Sequence, residues 1–435
     1  MSNRIFVRSF AFVAALCALS TSWAEIHPIA PALSSNPGAR YTVFLNFSGF
    51  NYNGTWANKT PGNVPAYTVD GDATTFNATE TQRIKEVWAR TAAAYVGMNI
   101  NVTTVDPAAA GLTDAQRKTF YDNTQYLTHT IFGGANTWYG SAGGVSYVSI
   151  AQQATVTNGQ RTNWVFPVNG TGTGSKSMAV AGVHEDGHHL RLSHQSDEIT
   201  GGGYSSNNGA NGNGSYAPIM GVAYNSQRAT WRVGKSGVNA NDVARLQGNL
   251  NMGAFRDSMI GHSLATATSM AVLGNGTINS ATMKGWIMPK ASTGYSAVGE
   301  DSYTKDYFKF RTLGGAVTIK ANDGTSFLQA GVADPGATMR CAMRIMNSNG
   351  VVIGTAVEDA TTLVHTWSGN LAAGDYYAQV VSQGAYVSAY EPDSRYFNMG
   401  GYFMSGSGLT AVPEPASMLV LTAGIGFLVR KRRRA

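Results

Sequence analysis

Twelve residues, Val183 to His194 (VHEDGHHLRLSH), constrain this chain more than any other stretch, because they hold four of its eight histidines. His184 and His188 are four apart, so on a helix they stand one turn apart on the same face. Two imidazoles placed that way can close on one zinc ion at about 2.0–2.1 Å each. Glu185 follows the first of them. There a carboxylate can take a proton from water that zinc has acidified, from a pKa of about 15.7 to roughly 7. Catalytic zinc usually takes three protein ligands, so a third is needed. His194 can serve only if the helix stops first, since six more helical residues would carry it about 240° round from His188. The chain is therefore expected to turn between Leu190 and Ser193. A carboxylate, Asp197 or Glu198, is the alternative third ligand. His189 sits about 100° round from His188 and is expected to be exposed and not a ligand.

This spacing resembles the metzincin signature His-Glu-x-x-His-x-x-Gly-x-x-His, in which the glycine makes the turn. Every position matches except the glycine, where this chain has Arg191. A non-glycine residue in a left-handed turn costs about 1–2 kcal/mol, which metal binding of around 10 kcal/mol can offset. Downstream, Ser215-Tyr216-Ala217-Pro218-Ile219-Met220-Gly221 resembles the metzincin Met-turn, which implies that Met220 forms the floor beneath the ligands. Tyr224 is a candidate transition-state hydrogen-bond donor, although in metzincins that use such a tyrosine it usually follows the methionine by two residues rather than four. With Trp231 and Asn241-Asp242, the stretch over residues 40–255 resembles a group of bacterial exported metzincin-like zinc peptidases.

Composition narrows the function classes. Apolar residues make up 43% and charged residues only 13%, too apolar for a disordered chain. The formal charge of +6 resides in the two ends: without residues 1–24 and 412–435, basic and acidic side chains are equal in number. Nothing supports a nucleic-acid partner. The two cysteines, Cys17 and Cys341, fall one in the leader and one in the body, so a processed chain has no internal disulfide. Cys341 reads as a small buried hydrophobe.

Residues 1–24 read as a signal peptide: Arg4 and Arg8, an apolar stretch from Phe10 to Leu19, and a small-x-small site at Ser22-Trp23-Ala24. In the following domain, residues 25–258, Tyr41 to Phe47 alternates as a strand, and Asn77 with Glu80 forms a capping box for a helix with Ile84, Val87, Trp88 and Tyr95 on its buried face. Asn99 to Val105 is the next strand, which suggests a βαβ unit. Gly143 to Ile150 reads as a strand, either an edge strand that pairs with extended substrate or an ordinary core strand. Ser175 or Ser177 is expected to cap the ligand helix.

A second domain, residues 261–408, has many short strand-like runs, among them Asp306–Phe310, Ala316–Ile319 and Met343–Met346, with a strong hairpin turn at Asn349-Gly350. Its order of runs resembles the bacterial pre-peptidase C-terminal domain. His262 and His365 read as packing or surface residues. At the end, Val412-Pro413-Glu414-Pro415, an apolar run from Ala416 to Val429 and the basic cluster Arg430 to Arg434 resemble the PEP-CTERM sorting signal of Gram-negative bacteria. That resemblance implies a membrane sorting and processing enzyme that removes the tail. The apolar run also fits a short transmembrane anchor, being marginal for a bilayer core of about 30 Å.

The expected fold is an α+β metzincin-like catalytic domain, a mixed twisted sheet with its active-site helix, followed by an all-β sandwich domain. The expected activity is an exported zinc metalloendopeptidase acting on a protein or peptide substrate, with Zn2+ on His184, His188 and His194 and Glu185 as general base. The alternative is a non-catalytic surface or extracellular-matrix protein retaining the same scaffold.

Overall fold

The computed structural model describes residues 27–195, 216–232, 241–250, 255–288, 305–323, 339–383 and 398–412. The leader, Asp197, Glu198, the glycine-rich run 201–215 and the tail after residue 412 lie outside the described residues. Within them no helix is long and apolar enough to cross a membrane.

In chain order the first half runs β1 (Tyr41–Asn46), β2 (Phe50–Tyr52), β3 (Gly62–Val64), α1 (Ala78–Ala94), β4 (Ile100–Thr103), α2 (Asp114–Asp122), β5 (Leu127–Phe132), β6 (Gly144–Val145), β7 (Thr162–Val165) and α3 (Ser175–His189). β8 (Tyr216–Pro218), β9 (Arg228–Thr230) and α4 (Asp242–Leu250) follow. Five strands form one sheet in the order β4-β1-β5-β7-β6, parallel except for β6, which runs antiparallel at one edge. β1 is buried at nearly every position because both sheet faces are covered. Val43 and Leu45 meet the apolar sides of α1 and α3, while Phe44 turns to an aromatic cluster with Phe50, Tyr52, Trp56, Tyr121 and Trp164. The start of α1 is held as its sequence demands. Asn77 Oδ1 accepts from the Glu80 amide at 3.0 Å, and Glu80 Oε2 accepts from the Asn77 amide at 2.8 Å. Trp88 then anchors the helix to the sheet by donating to the Val102 carbonyl at 2.9 Å.

The second half contains β10 (Thr268–Ser269), β11 (Lys284–Ile287), β12 (Asp306–Thr312), β13 (Gly315–Asn322), β14 (Cys341–Met346), β15 (Val352–Thr355), β16 (Val357–Glu358), β17 (Val364–Leu371), β18 (Gly374–Ser382) and β19 (Gly400–Ser407). They form two sheets, β10-β12-β18-β14-β15 and β11-β19-β13-β17-β16. Alternate residues of β12 are buried, the period-two signature of a strand with one dry face. Phe308, Phe310, Met343, Ile345 and Val380 of one sheet share a core with Ile287, Val317, Ile319, Tyr402 and Met404 of the other, which makes this half a β-sandwich.

The expected fold class is corrected by the strand content. Among the described residues, nineteen strands in five sheets stand against four α-helices, so the chain is mostly β and not the α+β metzincin-like catalytic domain expected for its first half, while the sandwich expected for its second half is present. The physical reason lies in strand length. β2, β3, β6, β8 and β9 are two or three residues long, too short to show a period in sequence, whereas helices carry their pattern over several turns. The expected strand at 143–150 accordingly shrinks to Gly144–Val145.

His262 lies where the two halves join and is more than packing. Its Nε2 lies 2.9 Å from Asp257 Oδ1, and its Nδ1 lies 3.4 Å from Asp306 Oδ1. Asp306 beside it, helped by the Lys305 carbonyl and Asp257 and opposed by partial burial, raises the imidazole to about 9. Burial pushes Asp306 up in turn, while Tyr402 and Ser258 donate to it as well. A folded-state value above the ordinary 6.5 means that this contribution to stability is full below about pH 6.5 and is lost as pH rises through about 9. His262→Gln is expected to flatten that dependence, read as the urea midpoint across pH 6–10; an unchanged slope would assign it to other groups.

Candidate metal centre

α3 delivers the site. It starts at Gly174, which makes no side-chain cap, so neither Ser175 nor Ser177 caps it; Ser175 Oγ instead donates to Glu86. Its last helical residue is His189, and the turn expected between Leu190 and Ser193 falls on Arg191, at φ 73°. The Arg191 amide donates to the His188 carbonyl at 2.9 Å and the Leu192 amide to the Gly187 carbonyl at 2.9 Å, the paired bonds of a Schellman ending. Arginine thus occupies the left-handed position where glycine is usual. Arg191→Gly removes a penalty of about 1–2 kcal/mol and adds chain entropy of about 0.5–1 kcal/mol in the unfolded state, so a net gain of roughly 0.5–1 kcal/mol is expected. A higher denaturant midpoint at constant slope checks it; a loss would mean that the arginine side chain holds the turn.

The turn brings three imidazoles together. Ring centroids are 4.8 Å apart for His184 and His188, 4.8 Å for His188 and His194, and 5.1 Å for His184 and His194. His184 Nδ1 lies 2.8 Å from the Ile219 carbonyl and His188 Nδ1 lies 2.9 Å from the Leu192 carbonyl. A carbonyl can only accept, so each Nδ1 carries the proton and each Nε2 keeps its lone pair. His188 Nε2 and His194 Nε2 stand 3.2 Å apart, close to the about 3.3 Å that two nitrogens on a tetrahedral zinc at 2.0–2.1 Å would show. Burial lowers His184 to about 3 and His188 to about 4, so both are neutral at ordinary pH, the state a metal requires. By donor chemistry and spacing, His184, His188 and His194 fit zinc.

Met220 is fully buried in a turn closed by the Gly221 amide on the Pro218 carbonyl at 3.1 Å. It lies close against α3, so that a Cβ on Gly187 would press on its Sδ. The same turn holds two of the histidines, because Ile219 receives His184 and the Met220 carbonyl accepts the Gln195 amide at 2.8 Å, next to His194. Gln195 Nε2 in turn donates to the buried Asp242 at 2.6 Å, which fixes the chain after His194 to the start of α4. No spacing in the sequence announces a contact between Gln195 and Asp242.

Glu185 lines a cleft of about 420 Å3 with the three histidines, Tyr224, Gly221 and the segment Ser141–Ser146. Burial, aided by the neighbouring Asp186, pushes its carboxyl well above the usual range. Gly144 in β6 packs directly on it: a Cβ there would lie 2.8 Å from Glu185 Oε1 and 2.8 Å from the Trp164 carbonyl. Tyr224 has its hydroxyl against the Gly143 backbone at the same rim. Asp186 points away, into the sheet, where its Oδ1 accepts from Thr130 at 2.7 Å and Asn163 at 3.1 Å; burial still raises it to about 7. His189, expected on the surface, is fully buried beside it, with Nδ1 3.0 Å from Thr128 Oγ1. The helix is covered on both of these sides, so a position off the ligand face meets β5 rather than water.

No protein-family model matches the chain, and no curated protein matches it. Among solved structures, the pre-peptidase C-terminal domain of a collagenase from Bacillus anthracis aligns with 32% of this chain and 93% of its own length, at 14% identity and a TM-score of 0.19. Aeromonas hydrophila PliG, a periplasmic lysozyme inhibitor of g-type lysozyme, aligns with 33% of this chain and 96% of its own, at 14% identity and a TM-score of 0.20.

Proposed function

We propose that this chain is an exported zinc-dependent endopeptidase. The observation that carries the reading is the convergence of His184, His188 and His194, two of them with Nδ1 tied to a backbone carbonyl, in one cleft with Glu185. The likeness of the ligand spacing to the metzincin signature and of Pro218–Gly221 to the Met-turn supports it. Zinc held by the three imidazoles supplies a Lewis acid that acidifies water and polarises a carbonyl.

The chain's own groups divide the remaining work. Glu185 takes the proton of the attacking water and returns it to the amine as the C–N bond breaks. Tyr224, at the rim, donates to the oxygen that gains charge as the carbonyl is attacked. β6 pairs only with β7 among the described strands, so its other edge faces the cleft and offers backbone groups to an extended substrate. The signal-like leader and the sorting-like tail support export, with a membrane processing enzyme as the tail's partner. Digestion of an unstructured protein, with zinc content measured in the same sample, tests the proposal. Cleavage that chelation abolishes and zinc restores is expected; near-equimolar zinc with no cleavage would overturn it in favour of the non-catalytic surface protein.

A further inference from the structure

A second group of metal-ligating side chains lies inside the β-sandwich, remote in sequence from α3. Asp323 follows β13, Cys341 opens β14 and His365 lies in β17, so the three come from both sheets. Their donor atoms all fall within 4.8 Å of one another. Cys341 is 0% exposed, His365 1% and Asp323 3%.

Burial this deep should leave every polar atom paired. Asp323 Oδ2 accepts from the Cys341 amide at 2.8 Å, but Asp323 Oδ1 and His365 Nε2 make no hydrogen bond among the described residues. His365 Nε2 lies 3.5 Å from Asp323 Oδ2 and 4.0 Å from Glu358 Oε1. Both gaps are too long for good hydrogen bonds, and the 3.5 Å gap to Asp323 is close to the about 3.3 Å between nitrogen and oxygen on a tetrahedral zinc. We propose that Asp323, Cys341 and His365 form a structural site for a zinc-type divalent cation, with Glu358 at hand as a fourth ligand.

Donor type sets the ion. A thiolate, an imidazole and a carboxylate suit zinc and its first-row neighbours and do not suit calcium or magnesium, which prefer all-oxygen shells. Full burial makes the site closed, as structural zinc sites are. Charge permits it. Arg228 reaches Glu358 Oε1 at 2.9 Å and Asp323 Oδ2 at 3.5 Å, and Arg340 also contacts Glu358, so two guanidinium groups already balance the two acids. A divalent ion then enters as Cys341 releases its proton, for a net gain of one charge. Arg228 belongs to β9, which pairs with β8 directly before the Met220 turn.

The site is independent of the peptidase reading, and cobalt loading of the full chain separates the two. The expected result is two equivalents of cobalt, with a thiolate-to-cobalt charge-transfer band in the near ultraviolet. That band cannot come from the three histidines. Cys341→Ser should abolish it and remove one equivalent, Cys17→Ser should keep it, and His184→Ala should keep it while removing the other equivalent. His365→Gln leaves the thiol in place and should shift the band and weaken binding, which covers the case in which Cys341→Ser fails to fold. A wild-type chain with no thiolate band, or a band that survives Cys341→Ser, overturns the proposal.

Discussion

Replacing Glu185 with alanine is expected to leave zinc at its wild-type level and to lower peptide hydrolysis by about 10²–10⁴-fold, the usual contribution of a positioned general base. The two halves of this result have separate causes. Zinc stays because no ligand is oriented by Glu185: His184 is held by the Ile219 carbonyl and His188 by the Leu192 carbonyl. Hydrolysis falls because Glu185 is the carboxylate in the cleft with the three histidines; Asp186, its neighbour, turns into the sheet toward Thr130 and Asn163 and cannot substitute. Glu185→Gln keeps the side-chain volume beside Gly144 and should fall as far, which separates lost basicity from a packing defect. Zinc and activity lost together, or neither lost, would contradict the assignment.

The second large effect concerns the ligand that the sequence left open. His194→Ala is expected to weaken zinc binding by more than the roughly 10–100-fold that changes in supporting residues cause, because a direct ligand is removed. His194 Nε2 stands 3.2 Å from His188 Nε2, a placement produced by the bend at Arg191 and held by the Gln195 amide on Met220. Competition with a chromophoric chelator measures the change. Zinc affinity unchanged in the variant would move the third position to Asp197 or Glu198, which lie outside the described residues.

Different parts of the site were legible in sequence to different degrees, for a physical reason. The pairing of His184 with His188 follows from helix pitch alone, and the capping box of α1 from two side chains three residues apart. The bend before His194 was legible as a necessity, yet no local preference marks Arg191 for a left-handed conformation. Met220 beneath Gly187 was legible only through resemblance to a motif, since a methionine after a proline turn is otherwise ordinary core material. His189 illustrates the opposite failure. Its angle on the helix was read correctly as off the ligand face, but the inference to exposure assumed water where β5 lies.

What the sequence determined by itself is therefore what a few consecutive residues decide: which imidazoles share a helix face, where that helix must end, which acid stands beside them, and the neutral charge of the body. What only the tertiary structure decided is what distant segments decide by meeting. The short strands pair only because the core holds them, the Gln195–Asp242 bond forms only once α4 docks, and Asp323, Cys341 and His365 gather only when two sheets stack. Covalent geometry acts over a helical turn and leaves a readable period. Burial acts across the whole chain, and leaves in sequence only isolated polar residues whose partners cannot be named before the layers close.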